Sequence, residues 1–94
     1  MEEQKIQIKA EDQVLHGKYT NNMQVIHTRE EFVLDFYNIL PPAGQMVARV
    51  ISNPSHFKRM VKAMQTNLEN YEKAFGAISE ADAPDEHKIG FKTT

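Results

Sequence analysis

At Ser52-Asn53-Pro54 the chain changes period, and that junction constrains the fold more than any other feature of the sequence. Asn53 can cap a helix with its side-chain oxygen, and Pro54 suits the first helical position, where a missing N–H leaves nothing unsatisfied. Downstream, Phe57, Met60, Val61, Met64, Leu68, Tyr71 and Phe75 recur at spacings of three and four. At 100° per residue they form one stripe about 100° wide. Gly76 follows directly and is free to adopt the left-handed conformation that closes a helix. The spacing predicts one amphipathic helix from Pro54 to Phe75 with a single buried face. Because ordering each backbone residue costs about 1 to 2 kcal/mol, docking rather than intrinsic propensity must hold such a helix. It is expected to lie on a sheet.

The strands of that sheet are expected upstream. Ile6, Ile8 and Ala10 alternate with polar residues and read as a short strand, which Glu11-Asp12-Gln13 breaks. From Gly17 to His27, Tyr19, Met23 and Val25 share one parity while Thr20, Asn22 and Gln24 share the other, the pattern of a strand with one wet face. A brief polar interruption at Thr28-Arg29-Glu30 precedes Glu31 to Tyr37, dense in β-branched and aromatic residues, so these two strands are expected to form a hairpin. Asn38 to Gly44 contains Pro41-Pro42 and reads as a loop, after which Gln45 to Ile51 reads as another strand. The expected fold is α+β: an antiparallel sheet of three to four strands followed by one long C-terminal amphipathic helix. Residues 1–78 make one domain with its core at about 17–76, and residues 79–94, polar and without period, are expected to be a flexible tail.

One helix covers one face of such a sheet, yet both faces carry apolar groups. Phe32, Leu34 and Phe36 point one way, and Val33 and Tyr37 point the other with Asp35. In the next strand Met46, Ala48 and Val50 oppose Val47 and Ile51, with Arg49 between these two. The face bearing Val33, Tyr37, Val47 and Ile51 is too apolar to stay wet. Either a second copy of the sheet covers it, or the N-terminal segment or the tail folds over it. On the helix, one flank carries Lys58, Lys62, Gln65, Glu69, Glu72 and Lys73, the mixture of a solvated surface. The other carries Ala63, Asn67, Asn70 and Ala74 beside His56, small or uncharged positions of the kind found where chains meet. Both sets are candidate oligomer or partner surfaces.

Features that would carry chemistry are sparse. The four histidines, His16, His27, His56 and His87, include no pair spaced to place two ligands on one helix face, so no metal is expected. Ser52, Ser55 and Ser79 lack a nucleophile context, and no glycine-rich phosphate loop exists. Asp35, inside an apolar strand, invites a general acid or base reading, but Arg49 on the next strong strand can pair with it across the sheet or across an interface. No enzyme activity and no cofactor are expected. The helix start is unusual: His56, Lys58, Arg59 and Lys62 put cations where the macrodipole is already positive, while Glu69 and Glu72 lie toward the other end. An anion near the first turns would relieve this. Phosphate, nucleic acid or an acidic segment such as Glu30-Glu31 of a neighbour would serve, and the ordinary reading is a solvated basic surface.

Composition bounds the rest. With 94 residues, 40% apolar, the chain has room for one small core that buries less of its surface than a larger domain, which favours oligomerisation. No cysteine means no disulfide framework, and the charged start Met1-Glu2-Glu3-Gln4-Lys5 does not read as a signal peptide. No stretch approaches the roughly 18 apolar residues of a membrane span. A cytoplasmic protein is expected. The formal charge of −2 draws it to no polyanion globally.

Tyr19-Thr20-Asn21-Asn22-Met23-Gln24-Val25, the Glu31-Phe32-Val33-Leu34-Asp35-Phe36 strand and Arg49-Val50-Ile51-Ser52-Asn53-Pro54-Ser55-His56-Phe57-Lys58-Arg59-Met60 together resemble a prokaryotic family known as domain of unknown function 3467. The likeness runs from about Gly17 to Gly76, with Asn53-Pro54 standing where members usually have Ser-Pro. It implies a small sheet-plus-helix domain from bacteria or archaea and brings no activity, cofactor or catalytic residue. The expected function is a non-enzymatic, self-associating protein-interaction module, with a homodimer favoured. The alternatives are a nucleic-acid-binding accessory protein using His56, Lys58, Arg59 and Lys62, or a small chaperone-like protein offering an exposed apolar sheet face.

Overall fold

The structure, a computed structural model, describes residues 4–80. A short helix α1 (Asp12–His16) precedes strands β1 (Asn22–His27), β2 (Phe32–Leu40) and β3 (Ala43–Ser52), and a 22-residue helix α2 (Pro54–Phe75) follows. The strands form one antiparallel sheet in the order β1-β2-β3. The family-like α+β arrangement of sheet then helix is therefore present. Much of the expected tail, residues 81–94, lies outside the described residues.

Local chemistry sets most boundaries. Between β1 and β2, Thr28 donates its N–H to the Glu31 carbonyl at 2.9 Å, and its hydroxyl accepts from the N–H groups of Glu30 and Glu31, both at 3.2 Å. That side-chain turn lets four residues reverse the chain. Asn21 extends the pairing beyond β1: its amide donates to the Ile39 carbonyl and accepts from the Ile39 N–H, each at 2.9 Å. The expected loop from Asn38 to Gly44 is much tighter, because β2 continues through Leu40, β3 starts at Ala43, and a cis Pro41-Pro42 bond makes the turn. Asn53 caps α2 by accepting the His56 N–H at 2.7 Å. At the other end Gly76, with φ of +94°, donates its N–H to the Glu72 carbonyl at 2.8 Å.

Three expectations fail here. Residues 4–11, including Ile6, Ile8 and Ala10, form no strand, and Ile6 and Ile8 are exposed; alternation over only three positions is too short to fix a strand on a sheet edge. The strand expected from Gly17 to His27 begins only at Asn22, because Asp12 to His16 turn as α1 and Gly17 takes φ of +77°. Finally, the simple parity of β3 breaks. Phe36 faces Ala48 but Tyr37 faces Met46, so Val47 is an extra residue in a β-bulge. Met46 consequently shares a face with Tyr37, and Val47 turns with Ala48 and Val50 toward a shallow hollow that Val14 and His16 also line.

The register defines two faces. One carries Val25, Leu34 and Val50 in a row, and Leu34 at its centre is 1% exposed. The other carries the rows Ile26–Val33–Ile51, Gln24–Asp35–Arg49 and Asn22–Tyr37–Met46. Tyr37 is buried there, with its hydroxyl 3.2 Å from Gln24 Oε1.

The largest departure concerns α2. It does not lie on the sheet: none of its residues is buried. It leaves from the end of β3, and Phe57 in its first turns stacks on Phe32 with ring centroids 4.0 Å apart and an interplanar angle of 6°. Phe32 pairs with Ser52, the last residue of β3, so the stack forms at the root of the helix. Beyond it the helix extends away. The Cα radius of gyration is 16.9 Å, against about 12 Å for a compact domain of this length.

Candidate functional site

The apolar stripe of α2, expected as the buried face of the helix, is open to solvent. Val61, Met64, Leu68 and Tyr71 are each roughly half exposed, and Phe75 is 76% exposed. Phe57 and Met60, nearest the sheet, are partly covered. Tyr71 and Phe75 lie against each other with centroids 5.0 Å apart. A contiguous row of large apolar side chains running along four turns of a helix is far more than the scattered exposure ordinary surfaces show.

The flanks of the stripe differ in kind. Ala63, Asn67, Asn70 and Ala74 are all exposed, and the Asn67 amide donates to the Ala63 carbonyl at 3.0 Å, which holds that side chain against its own helix. The resulting flank is low and uncharged. On the opposite flank Glu72 accepts the Ile78 N–H at 2.8 Å through Oε2, so its carboxylate is fixed at the helix end.

The basic start of the helix is exposed at His56, Lys58, Arg59 and Lys62. The Arg59 guanidinium lies 3.3 Å from His56 Nδ1, and the His56 N–H is already taken by Asn53. The structure thus brings His56 and Arg59 together, with Lys58 and Lys62 on the adjoining surface of the same two turns.

On the sheet, Asp35 and Arg49 meet. Arg49 donates Nε to Oδ1 at 2.7 Å and a terminal NH2 to Oδ2 at 2.9 Å, a two-pronged pair between residues directly opposite in the register. Asp35 is buried and the Arg49 side chain is half exposed, so the guanidinium closes over the carboxylate from the solvent side. These hydrogen bonds hold the Asp35 carboxyl below the usual carboxylate range, against the opposing effect of burial. Burial, then the Asp35 charge, pushes the Tyr37 phenol up. A carboxylate held ionised by a bidentate arginine has no proton to donate and little tendency to accept one.

Of the expected sheet-face interface, Val33 is partly covered, Ile51 is 54% exposed, Tyr37 is interior, and Val47 has turned to the opposite side at the bulge. Sequence reasoning missed Ile26, 58% exposed beside Val33 and Ile51, because its hairpin partner is fixed only by the register. Among the described residues no group of three or more histidine, aspartate or glutamate side chains could hold a metal ion. No described helix is long and apolar enough to cross a membrane.

The chain belongs to the family described as Protein of unknown function (DUF3467), whose pattern matches residues 1–80. No curated protein and no solved structure matches it.

Proposed function

We propose that this member of the family is a non-enzymatic, self-associating interaction module, in its simplest form a homodimer, whose contact surface is the apolar stripe of α2. The observation that carries this reading is the exposure of Val61, Met64, Leu68, Tyr71 and Phe75 on a well-capped helix that its own sheet does not cover. A helix of 22 residues gains most of its stability from an amphipathic face packed on something else. The sheet of the same chain does not pack on the stripe. A second copy is the simplest source, because every copy presents the same unmet stripe. The exposed Ile26–Val33–Ile51 row adds a second apolar patch next to the root of the helix.

Absolute molar mass by light scattering at tens of micromolar tests this. Twice the 10.8 kDa of one chain, or a higher multiple, is expected; 10.8 kDa throughout would overturn the reading.

A second reading rests on the clustered cations at the helix start. In it, His56, Lys58, Arg59 and Lys62 contact the phosphates of a nucleic acid, and binding would fall steeply as salt rises. Titrating a fluorescent duplex at 50 and 200 mM salt distinguishes it, since self-association through an apolar stripe does not weaken in that way.

A further inference from the structure

The order of residues along the stripe says how two copies meet, granted the self-association just proposed. Phe57, Val61, Met64, Leu68, Tyr71 and Phe75 are separated by four, three, four, three and four residues. That alternation averages 3.5 and is the seam a helix presents to another helix rather than to a sheet. Charge then selects the direction. Lys58, Arg59 and Lys62 occupy the first half of α2, which holds no acidic residue, while Glu69 and Glu72 occupy the second half with Lys73. Parallel helices would bring both cationic halves and both positive dipole ends together. Antiparallel helices set each cationic half beside the partner's acidic half and oppose the dipoles.

We propose that α2 pairs antiparallel with α2 of a second copy of this chain, in the register symmetric about Thr66 that places Val61 beside Tyr71 and Met64 beside Leu68 across the interface. In this register Phe75, the most exposed member of the stripe, comes to the partner copy's helix root, where Phe57 and Phe32 already stack. Lys58, Gln65 and Glu72 recur every seven residues along one border of the seam. In an antiparallel pair this border meets its own copy, so Lys58 faces Glu72 and Gln65 faces Gln65. The opposite border, Met60, Asn67 and Ala74, meets itself likewise with no charge to oppose. The same arrangement explains charges that work against the dipole of a lone helix: the partner's acidic end supplies the anion that the first turns lack.

The cysteine-free chain makes the test direct. Val61→Cys and Tyr71→Cys chains are prepared separately, checked for helix content by circular dichroism, and oxidised alone and mixed. Ten residues along one helix span about 15 Å, well beyond the reach of a disulfide, so a bond between positions 61 and 71 reports on two chains. The expected result is a cross-link in the mixture and little in either variant alone. Self-cross-linking of Val61→Cys overturns the direction and leaves self-association standing. A dimeric molar mass with no cross-link in the mixture overturns helix pairing and moves the contact elsewhere, whereas a monomeric parent chain overturns both. A charge-reversal test uses the border of the seam rather than its apolar positions, with circular dichroism on each variant because Glu72 also holds the Ile78 N–H. Lys58→Glu and Glu72→Lys should each weaken the dimer roughly tenfold, because two facing pairs turn repulsive, and the double variant should recover it. A double variant no tighter than the singles overturns the register.

Discussion

Replacing Leu68 with aspartate puts the largest strain on the idea that the α2 stripe is a contact surface. Leu68 lies on the seam and is 48% exposed in the single chain. Covering the remaining half of a leucine is worth about 1 kcal/mol, and a two-fold contact counts it twice. Carrying a carboxylate into that apolar setting costs at least about 1 kcal/mol more on each chain. The total, about 4 kcal/mol, corresponds to a rise in dimer Kd of nearly a thousandfold. Sedimentation velocity over a dilution series reads this directly, with circular dichroism at 222 nm to show that α2 persists. Thr66→Asp is the matched control, since Thr66 is exposed on the side of α2 away from the stripe and should shift Kd less than about threefold. Should Leu68→Asp associate within tenfold of the parent while α2 stays helical, the stripe is not the contact.

Other substitutions test the fold beneath the surface. Leu34→Ala removes the most buried side chain and should cost about 2 to 5 kcal/mol, a fall in Tm of at least about 10 °C by thermal melt; a fall of less than about 4 °C would show that this row of the sheet is not a packed core. Asn53→Ala deletes the cap on α2 and should cost about 1 kcal/mol in urea unfolding, while Asn53→Ser should cost almost nothing. Arg49 holds the Asp35 carboxyl low, so this group's contribution to stability is present above the unfolded value near 3.9 and is lost as pH falls through the lower folded value. Arg49→Ala should raise the Asp35 midpoint in a carboxyl-resolved NMR titration and leave the acid transition starting at higher pH. The Tyr37 phenol is pushed up by burial, so its contribution holds below about 10 and is lost as pH rises through the folded value, which absorbance at 295 nm will follow.

What could be read from the sequence was whatever a few neighbouring residues decide. Asn53-Pro54 and Gly76 bound α2 because capping chemistry acts within one turn. Asp35 and Arg49 are opposite each other because β2 and β3 are joined by a tight turn, which leaves little freedom in register. The bulge at Val47 was not readable: no glycine or proline marks it, and it arises from fitting β3 to β2 across the whole strand. The same limit applies to α1, where Asp12 to His16 has too few residues to show a period. It applies again to Tyr37, whose burial depends on neighbours contributed by β1 and β3.

The helix shows a deeper limit. An amphipathic pattern states that a face must be covered and is silent on which chain does the covering. Reading the stripe as docked on the sheet assumed that both partners came from one molecule. The structure argues against it, since no residue of α2 is buried. The ten-residue β3 and the 22-residue α2 are each about 33 Å long, so length does not keep the helix off the sheet; its contact ends at the root, where Phe57 stacks on Phe32. The open stripe therefore has a use outside the single chain or none at all. Capping at both ends, a seam kept in phase as far as Phe75, and a charge gradient that is unfavourable until a second helix lies antiparallel to it all favour use over accident.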